Sequence, residues 1–391
     1  MRVAVICHDF PPFAYGGVAS ACSDLVRNLS NEGVEVEVFC GNRKAPAQNL
    51  HWDFRVTILG SHRTAPRLSF IFNNLTKIPS LVAEADLVHV FGSFGFLIDH
   101  IKKRTGKRVL SNVHSIPYIT FKNFMSSPLS NWTLGDFASD LLEYPVSHIL
   151  MKKTLCKSDH TVVPSLHALK NTLALYPVPI NQCSMIPNGI DFDASYFESL
   201  TSSKSNEQLP SIVFCGRLTW IKGITFLVKA FSLLAKKVED VSLKIIGWGP
   251  MGSYVRSLVS ILGLNSRVRL LGVVSREKAI QEIRNSSFLV LPSLHETGPV
   301  VAYEAMGLAK PVIAFDFPFA TEFIFDNRNG LLAKPCDVRD LSDKMLTLLT
   351  DKDVVMKLGK SAYAYVRENH DWSINVKKYV KIYKMLLESK R

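Results

Sequence analysis

Phe288-Leu289-Val290-Leu291-Pro292-Ser293-Leu294-His295-Glu296-Thr297-Gly298-Pro299-Val300-Val301-Ala302-Tyr303-Glu304-Ala305-Met306 is the stretch on which the reading of this chain turns. Phe288–Leu291 is a short apolar run of strand length, and the Glu296–Pro299 turn follows it. Pro299 suits the first helical position, because a proline there gives up an N–H that has no helical acceptor anyway. A strand, a turn, a helix and a second apolar run, Pro311–Ala314, make a strand–helix–strand unit. Such units build parallel sheets covered by helices on both faces.

The same alternation extends in both directions. Strand-like runs occur at Arg2–Cys7, Val34–Phe39, Asp86–Val90 and Arg108–Val113, then at Ser211–Cys215, Ser242–Ile246 and Arg267–Leu271. Helical spacing lies between them at Ala19–Leu29, Thr225–Lys236, Gly252–Leu262, Arg276–Arg284 and Val300–Met306. Leu200–Pro210 has almost no core-forming side chains and reads as a linker. The expected fold is therefore α/β, with two facing Rossmann-like domains and a cleft at the carboxyl ends of their strands. Ile116–Lys153 resists this scheme. It is rich in aromatics (Tyr118, Phe121, Phe124, Trp132, Phe137, Tyr144) and reads as loop plus helix finishing the first core. A second reading makes it an acceptor or membrane-contact surface, with Lys122, Lys152 and Lys153 near anionic head groups.

Composition narrows the function. The 391 residues exceed one ordinary domain, and 47% hydrophobic with 20% charged is the balance of a globular core. No apolar run approaches the ~18 residues of a membrane span. Met1–Asp9 lacks the apolar centre of a signal peptide, and seven Cys without a Cys-x-x-Cys pair read as reduced thiols of a cytoplasmic chain. The sequons at Asn28, Asn74, Asn131 and Asn285 are then accidental. A net charge of +12 suits an anionic partner, yet no basic block with interleaved aromatics and no RNP, zinc-finger or helix-turn-helix pattern appears. Nucleic acid is not the expected partner.

Two segments carry chemistry. In Cys215-Gly216-Arg217-Leu218-Thr219-Trp220-Ile221-Lys222-Gly223, cations follow a strand and precede a helix, so Arg217 offers a fork and Lys222 a point charge to a phosphate. In the opening stretch, the N–H groups of Val300 and Val301 form an anion site at the positive end of the helix dipole. Glu296 and Glu304 bracket that site and can accept from hydroxyls. Phosphates in the middle and polyols at both ends describe a sugar nucleotide. Each segment alone fits a solvated surface turn equally well.

Together the two segments resemble the retaining glycosyltransferases of family 4, the group 1 enzymes with the GT-B fold. The resemblance spans most of the chain. Tyr15-Gly16-Gly17-Val18 is similar to the family's glycine-rich loop, and Ile186-Pro187-Asn188-Gly189-Ile190-Asp191 to its inter-domain signature. Asn112-Val113-His114 falls where the family has an active-site His, and Ala305–Ala314 resembles its helix-to-strand return. The resemblance implies an N-terminal acceptor domain at 1–187, rejoined by a closing helix at 371–391, and a donor domain at 188–370. It implies that Gly16 and Gly17 approach the diphosphate, with Arg217 and Lys222 neutralising it as leaving group. Glu304 would hold the ribose, Glu296 the donor sugar, the backbone around Gly272-Val273-Val274 the base, and Gly298, Pro299, Val300 and Val301 the anion. His114 would contact the sugar near the reacting carbon. The implied catalytic set is His114, Arg217, Lys222 and Glu296, with no cofactor and no metal. Two departures stand out: Ile221 replaces an acid usual before the lysine, and Gly298-Pro299 replaces an aromatic–glycine pair.

The resulting expectation is a cytoplasmic, metal-independent glycosyltransferase using a nucleotide-diphosphate sugar. Its acceptor would be a glycan, a lipid-linked sugar or a small molecule. The basic wet face of the closing helix, whose apolar stripe is Val376, Tyr379, Val380, Tyr383, Met385 and Leu386, raises peripheral contact with a membrane as a second reading beside simple solvation. The alternatives are a sugar-nucleotide epimerase, a phosphorylase, or a non-catalytic sugar-nucleotide binder of the same fold. Asp191-Phe192-Asp193 copies a metal-binding string but lies inside the inter-domain signature, and Gly247-Trp248-Gly249-Pro250 reads as a tight turn near the cleft.

Overall fold

The computed structural model describes residues 1–11, 16–42, 53–60, 66–125, 134–192 and 210–389. By contacts the chain forms two units, Met1–Tyr118 with Glu143–Asp191 and Trp372–Arg391, and Phe192–Asp371 with Ile119–Leu142. The chain passes between units at Asp191/Phe192 and Asp371/Trp372, slightly beyond the expected boundaries at 187/188 and 370/371. It also passes at Tyr118/Ile119 and Leu142/Glu143, so that Ile119–Leu142, expected in the first domain, groups by contacts with the second unit. Asp191 stays with the first unit because its carboxylate accepts from Arg27 (2.9 Å) and Asn28 (2.7 Å). Most of the expected linker, 200–209, lies outside the described residues, as do Tyr15, Asn131, Trp132 and Asp193.

The first unit holds a parallel sheet of seven strands: β1 (Arg2–Cys7), β2 (Glu35–Asn42), β3 (Arg55–Gly60), β4 (Leu87–Phe91), β5 (Arg108–Asn112), β6 (His160–Val163) and β7 (Cys183–Met185). Their spatial order is β3-β2-β1-β4-β5-β6-β7. The second unit holds six: β8 (Ser211–Cys215), β9 (Ser242–Ile246), β10 (Val268–Gly272), β11 (Phe288–Leu291), β12 (Val312–Phe315) and β13 (Gly330–Ala333), in the order β10-β9-β8-β11-β12-β13. Every pairing in both sheets is parallel. The central strands are almost wholly buried because helices cover both faces; all five residues of β4 and all four of β11 are buried. Strand order reverses between β1 and β4 and again between β8 and β11, and ligands of such sheets sit at the carboxyl ends beside that reversal.

Ile116–Lys153 is more regular than expected, forming helices Pro117–Met125 and Leu134–Lys157 with Pro145 inside the second. Helix Trp372–Glu388 packs on the first sheet, where Trp372, Val376, Tyr379, Ile382, Tyr383 and Leu386 join one core with Val3, Val5 and Leu110. Met385, expected in the apolar stripe, is 45% exposed instead.

Beneath this helix lies a buried polar chain. The hydroxyl of Tyr383 donates to His89 Nδ1 (2.7 Å), His89 Nε2 donates to Asn112 Oδ1 (3.0 Å), and Asn112 Nδ2 donates to the Tyr379 hydroxyl (2.8 Å). Each member is satisfied by its neighbours, which is what permits polar groups in a core. Burial lowers the pKa of His89 from 6.5 to about 3, so the ring is neutral at physiological pH.

Because the unfolded chain takes up this proton near 6.5 and the folded chain only near 3, stability falls as pH drops through that interval. We expect the thermal midpoint to drop between pH 7 and pH 4.5, and to drop less steeply in His89→Gln, by calorimetry at the two pH values.

Candidate active site

Both charged segments emerge at the β8/β11 reversal. After β8 the chain turns through Gly216–Thr219, where buried Leu218 and Trp220 anchor it, and a 3₁₀ turn, Trp220–Lys222, ends at Gly223. Gly223 has φ 64°, and a Cβ there would stand 1.8 Å from the Pro292 carbonyl oxygen. No other residue lets the β8 exit lie this close to the β11 exit. Leu294 N–H then donates to the Ile221 carbonyl (2.8 Å). Ile221, in place of the family's acid, packs partly buried against the core.

This approach brings together two side chains from distant segments. Lys222 Nζ donates to Glu296 Oε1 at 2.5 Å, and Ser293 Oγ donates to the same oxygen at 2.7 Å. The lysine and glutamate side chains are 21% and 11% exposed. Arg217, on the preceding turn, is exposed. The candidate anion grip and sugar grip are thus joined by one ion pair.

Helix Val300–Gly307 begins where the helical spacing starts, with Pro299 as its N-cap at ψ 90° instead of at the first helical position. Ala302 and Tyr303 N–H both turn back to the Pro299 carbonyl (2.9 and 3.4 Å). The amides of Val300 and Val301 precede the first helical bond and form the positive end of the helix. Gly298 is half-buried just before them.

Glu304 lies one turn in, with its side chain 14% exposed. Arg276 grips its Oε1 through Nε (2.9 Å) and Nη2 (2.8 Å). Sequence reasoning missed Arg276. The available signal was Ser275, which caps helix Arg276–Arg284 by accepting from Lys278 N–H and so fixes an arginine in the first turn beyond β10. Burial, and secondarily the charge of Glu304, push the Cys215 thiol up to about 12. Beyond Gly272, Val273 is 58% exposed and Val274 half-buried. Three cations, a helix end and two carboxylates therefore occupy one end of one sheet.

The family models agree with this geometry. Residues 197–365 match the model described as glycosyl transferases group 1, and residues 15–194 match glycosyltransferase family 4. The chain belongs to the family 4, group 1 glycosyltransferases. An uncharacterized glycosyltransferase of Methanocaldococcus jannaschii is 24% identical, with 99% of each chain covered. A solved sucrose-phosphate synthase from Thermosynechococcus elongatus superposes with a TM-score of 0.81 at 20% identity, covering 99% of each chain. The Anabaena HepE structure in complex with UDP and glucose gives 0.75 at 16%, covering 98% of this chain and 99% of that one. The fold of this glycosyltransferase is the GT-B fold.

The remaining expected residues lie in the first unit of the glycosyltransferase. His114 stands two residues past β5, its ring stacked on Phe91 at 5.3 Å, and burial lowers its pKa from 6.5 to about 4. It is therefore a neutral hydrogen-bonding group. Gly16, at φ 150°, N-caps helix Gly17–Asn31, whereas Gly17 meets neither a steric nor a backbone restriction. Asp191, of the metal-like string, is held by Arg27 and Asn28. Among the described residues no three His, Cys, Asp or Glu side chains cluster to hold a metal.

Gly223→Ala should cost more than about 2 kcal/mol, since strain and a backbone clash add, whereas Gly263→Ala, equally left-handed but open, should cost about 1 kcal/mol. Urea unfolding of the two variants checks this. Arg276→Ala should raise the donor KM roughly tenfold with little change in kcat, because Glu304 keeps its charge and loses its orientation. Steady-state kinetics over a donor series measures the split.

Proposed function

We propose that this glycosyltransferase moves a sugar from a nucleotide-diphosphate donor to an acceptor hydroxyl with retention of anomeric configuration and without a divalent ion. The observation that carries this reading is the convergence of Arg217, Lys222 and the Val300–Val301 amides at the β8/β11 reversal, flanked by Glu296 and Glu304. A cationic centre with carboxylates on either side matches a diphosphate that has a hydroxyl-bearing ring on each side. The HepE structure with UDP and glucose supports the same class of ligand.

As the bond from the anomeric carbon to the diphosphate breaks, charge develops on the departing oxygen. Arg217, Lys222 and the helix end are fixed before that moment and so stabilise it. The acceptor oxygen attacks from the face the diphosphate leaves, and its proton passes to a phosphate oxygen. Lys222 begins paired with Glu296, so donor binding must divide that pair, the ammonium turning to phosphate and the carboxylate to sugar hydroxyls. Glu304, braced by Arg276, takes the ribose, while Val273 and Val274 flank the base. Neutral His114 offers a hydrogen bond to the donor sugar, and Gly16 and Gly17 offer amides to the diphosphate; these roles rest on the family resemblance.

The acceptor is a glycan, a lipid-linked sugar or a small molecule bound by the first unit. Among the described residues no helix is long and apolar enough to cross a membrane. The exposed face of helix Trp372–Glu388 carries Lys377, Lys378, Lys381 and Lys384, a charge pattern that supports peripheral contact with the cytoplasmic leaflet. Sedimentation with anionic liposomes should carry the protein down at low salt and release it at high salt.

A thermal-shift screen of nucleotides and nucleotide sugars, followed by transfer and hydrolysis assays of the stabilising donor, tests the whole reading. Glu304→Ala should lose at least about thirtyfold in kcat/KM, roughly 2 kcal/mol, and EDTA should leave the wild-type rate unchanged. Equal turnover by wild type and variant would reject the site. Donor conversion without any acceptor would favour the epimerase.

A further inference from the structure

Trp248 is a large apolar side chain at this end of the second sheet that packing does not explain. It is 70% exposed, whereas Trp220 and Trp372 are 3% and 1% exposed. Among the described residues its indole makes no hydrogen bond and no ring contact. An indole left in water forgoes a large burial gain, so a site that keeps one exposed usually offers it to a partner.

Its backbone is nonetheless tightly held. A Cβ on Gly247, at φ 128°, would stand 1.9 Å from the Gly216 carbonyl oxygen, and one on Gly249 would stand 2.3 Å from that of Leu218. Leu218 N–H donates to the Trp248 carbonyl (3.1 Å), and Gly247 N–H donates to the Gly272 carbonyl (2.8 Å). The two glycines press the loop onto the turn that carries Arg217 on one side and bond it to the turn that carries Val273 on the other. Trp248 is thus an exposed side chain on a fixed backbone, carried between the turn of exposed Arg217 and the turn of exposed Val273.

We infer that Trp248 is a stacking platform for the nucleobase of the donor, a role that rests on the donor site proposed above. A flat apolar face beside a cationic turn suits a planar aromatic group tethered to phosphates. Stacking is tolerant of base identity because every base has a π-face. Trp248 therefore supplies affinity for the nucleoside part and leaves the choice of base to the edge contacts around Gly272–Val274.

Titration calorimetry with UDP, GDP, ADP and inorganic pyrophosphate, on wild type, Trp248→Ala and Trp248→Phe, tests this. Trp248→Ala should weaken the best-bound nucleoside diphosphate about tenfold or more, Trp248→Phe should keep affinity within about threefold, and pyrophosphate should bind all three alike. The donor KM should rise in Trp248→Ala with kcat nearly constant, and the ligand-free thermal midpoint should move little because most of the side chain is in water. Unchanged nucleotide affinity in Trp248→Ala, or an equal loss for pyrophosphate, overturns the stacking role alone. Failure of wild type to bind any nucleoside diphosphate overturns the donor site and this role with it.

Discussion

The candidate site depends on a contact between two peptide backbones. Gly223 lies against the Pro292 carbonyl at a distance no side-chain-bearing residue tolerates, and this closeness lets the exits of β8 and β11 share a hydrogen bond from Leu294 to Ile221. Lys222 and Glu296 then face each other because their main chains already do. A second set of backbone contacts, Gly247 on Gly216 and Gly249 on Leu218, fixes the neighbouring loop in the same manner. The charged residues bring the chemistry; the missing Cβ atoms set where it happens. In a site of this kind glycine is chosen for what it lacks.

The electrostatics follow from that closeness. Glu296 and Glu304 are largely removed from water, a state carboxylates tolerate only with partners. Each has one: Lys222 with Ser293 for the former, Arg276 for the latter. Along each of these two arms the site is thus close to charge-balanced. The carboxylates are held in position without uncompensated charge, as the proposed hydroxyl contacts require.

The central strands were legible from the sequence because burial on both faces writes an unbroken apolar run, as in Phe288–Leu291 and Arg2–Cys7. Some strands at or near the sheet edges were not, although the edge strand β10 was read at Arg267–Leu271. β3 (Arg55–Gly60) has mixed exposure and β7 (Cys183–Met185) only three residues, so neither carries enough periodicity to separate from loop. In the site, the residues followed strand–turn–helix grammar and could be named individually. Their mutual contacts could not, since Lys222 with Glu296 and Arg276 with Glu304 are tertiary pairings without sequence spacing. Arg276 escaped notice because an arginine opening a helix is ordinary until its carboxylate partner is seen. The helix start at Val300 instead of Pro299 reflects the ψ of 90° at the proline, which satisfies two following amides from its own carbonyl.

Helix Trp372–Glu388 also sets an order of events during synthesis. Trp372, Tyr379 and Tyr383 complete the core of the first sheet and the polar chain through His89 and Asn112, yet they are translated after the whole of the second unit. While the ribosome works through 192–371, the nascent first unit carries an uncovered apolar sheet face and a histidine without its tyrosine. The second unit meets no such delay, because apart from 119–142 its segments are contiguous. The earlier-made half of the molecule is therefore the later one to mature, and its unfinished face is where a chaperone has reason to bind.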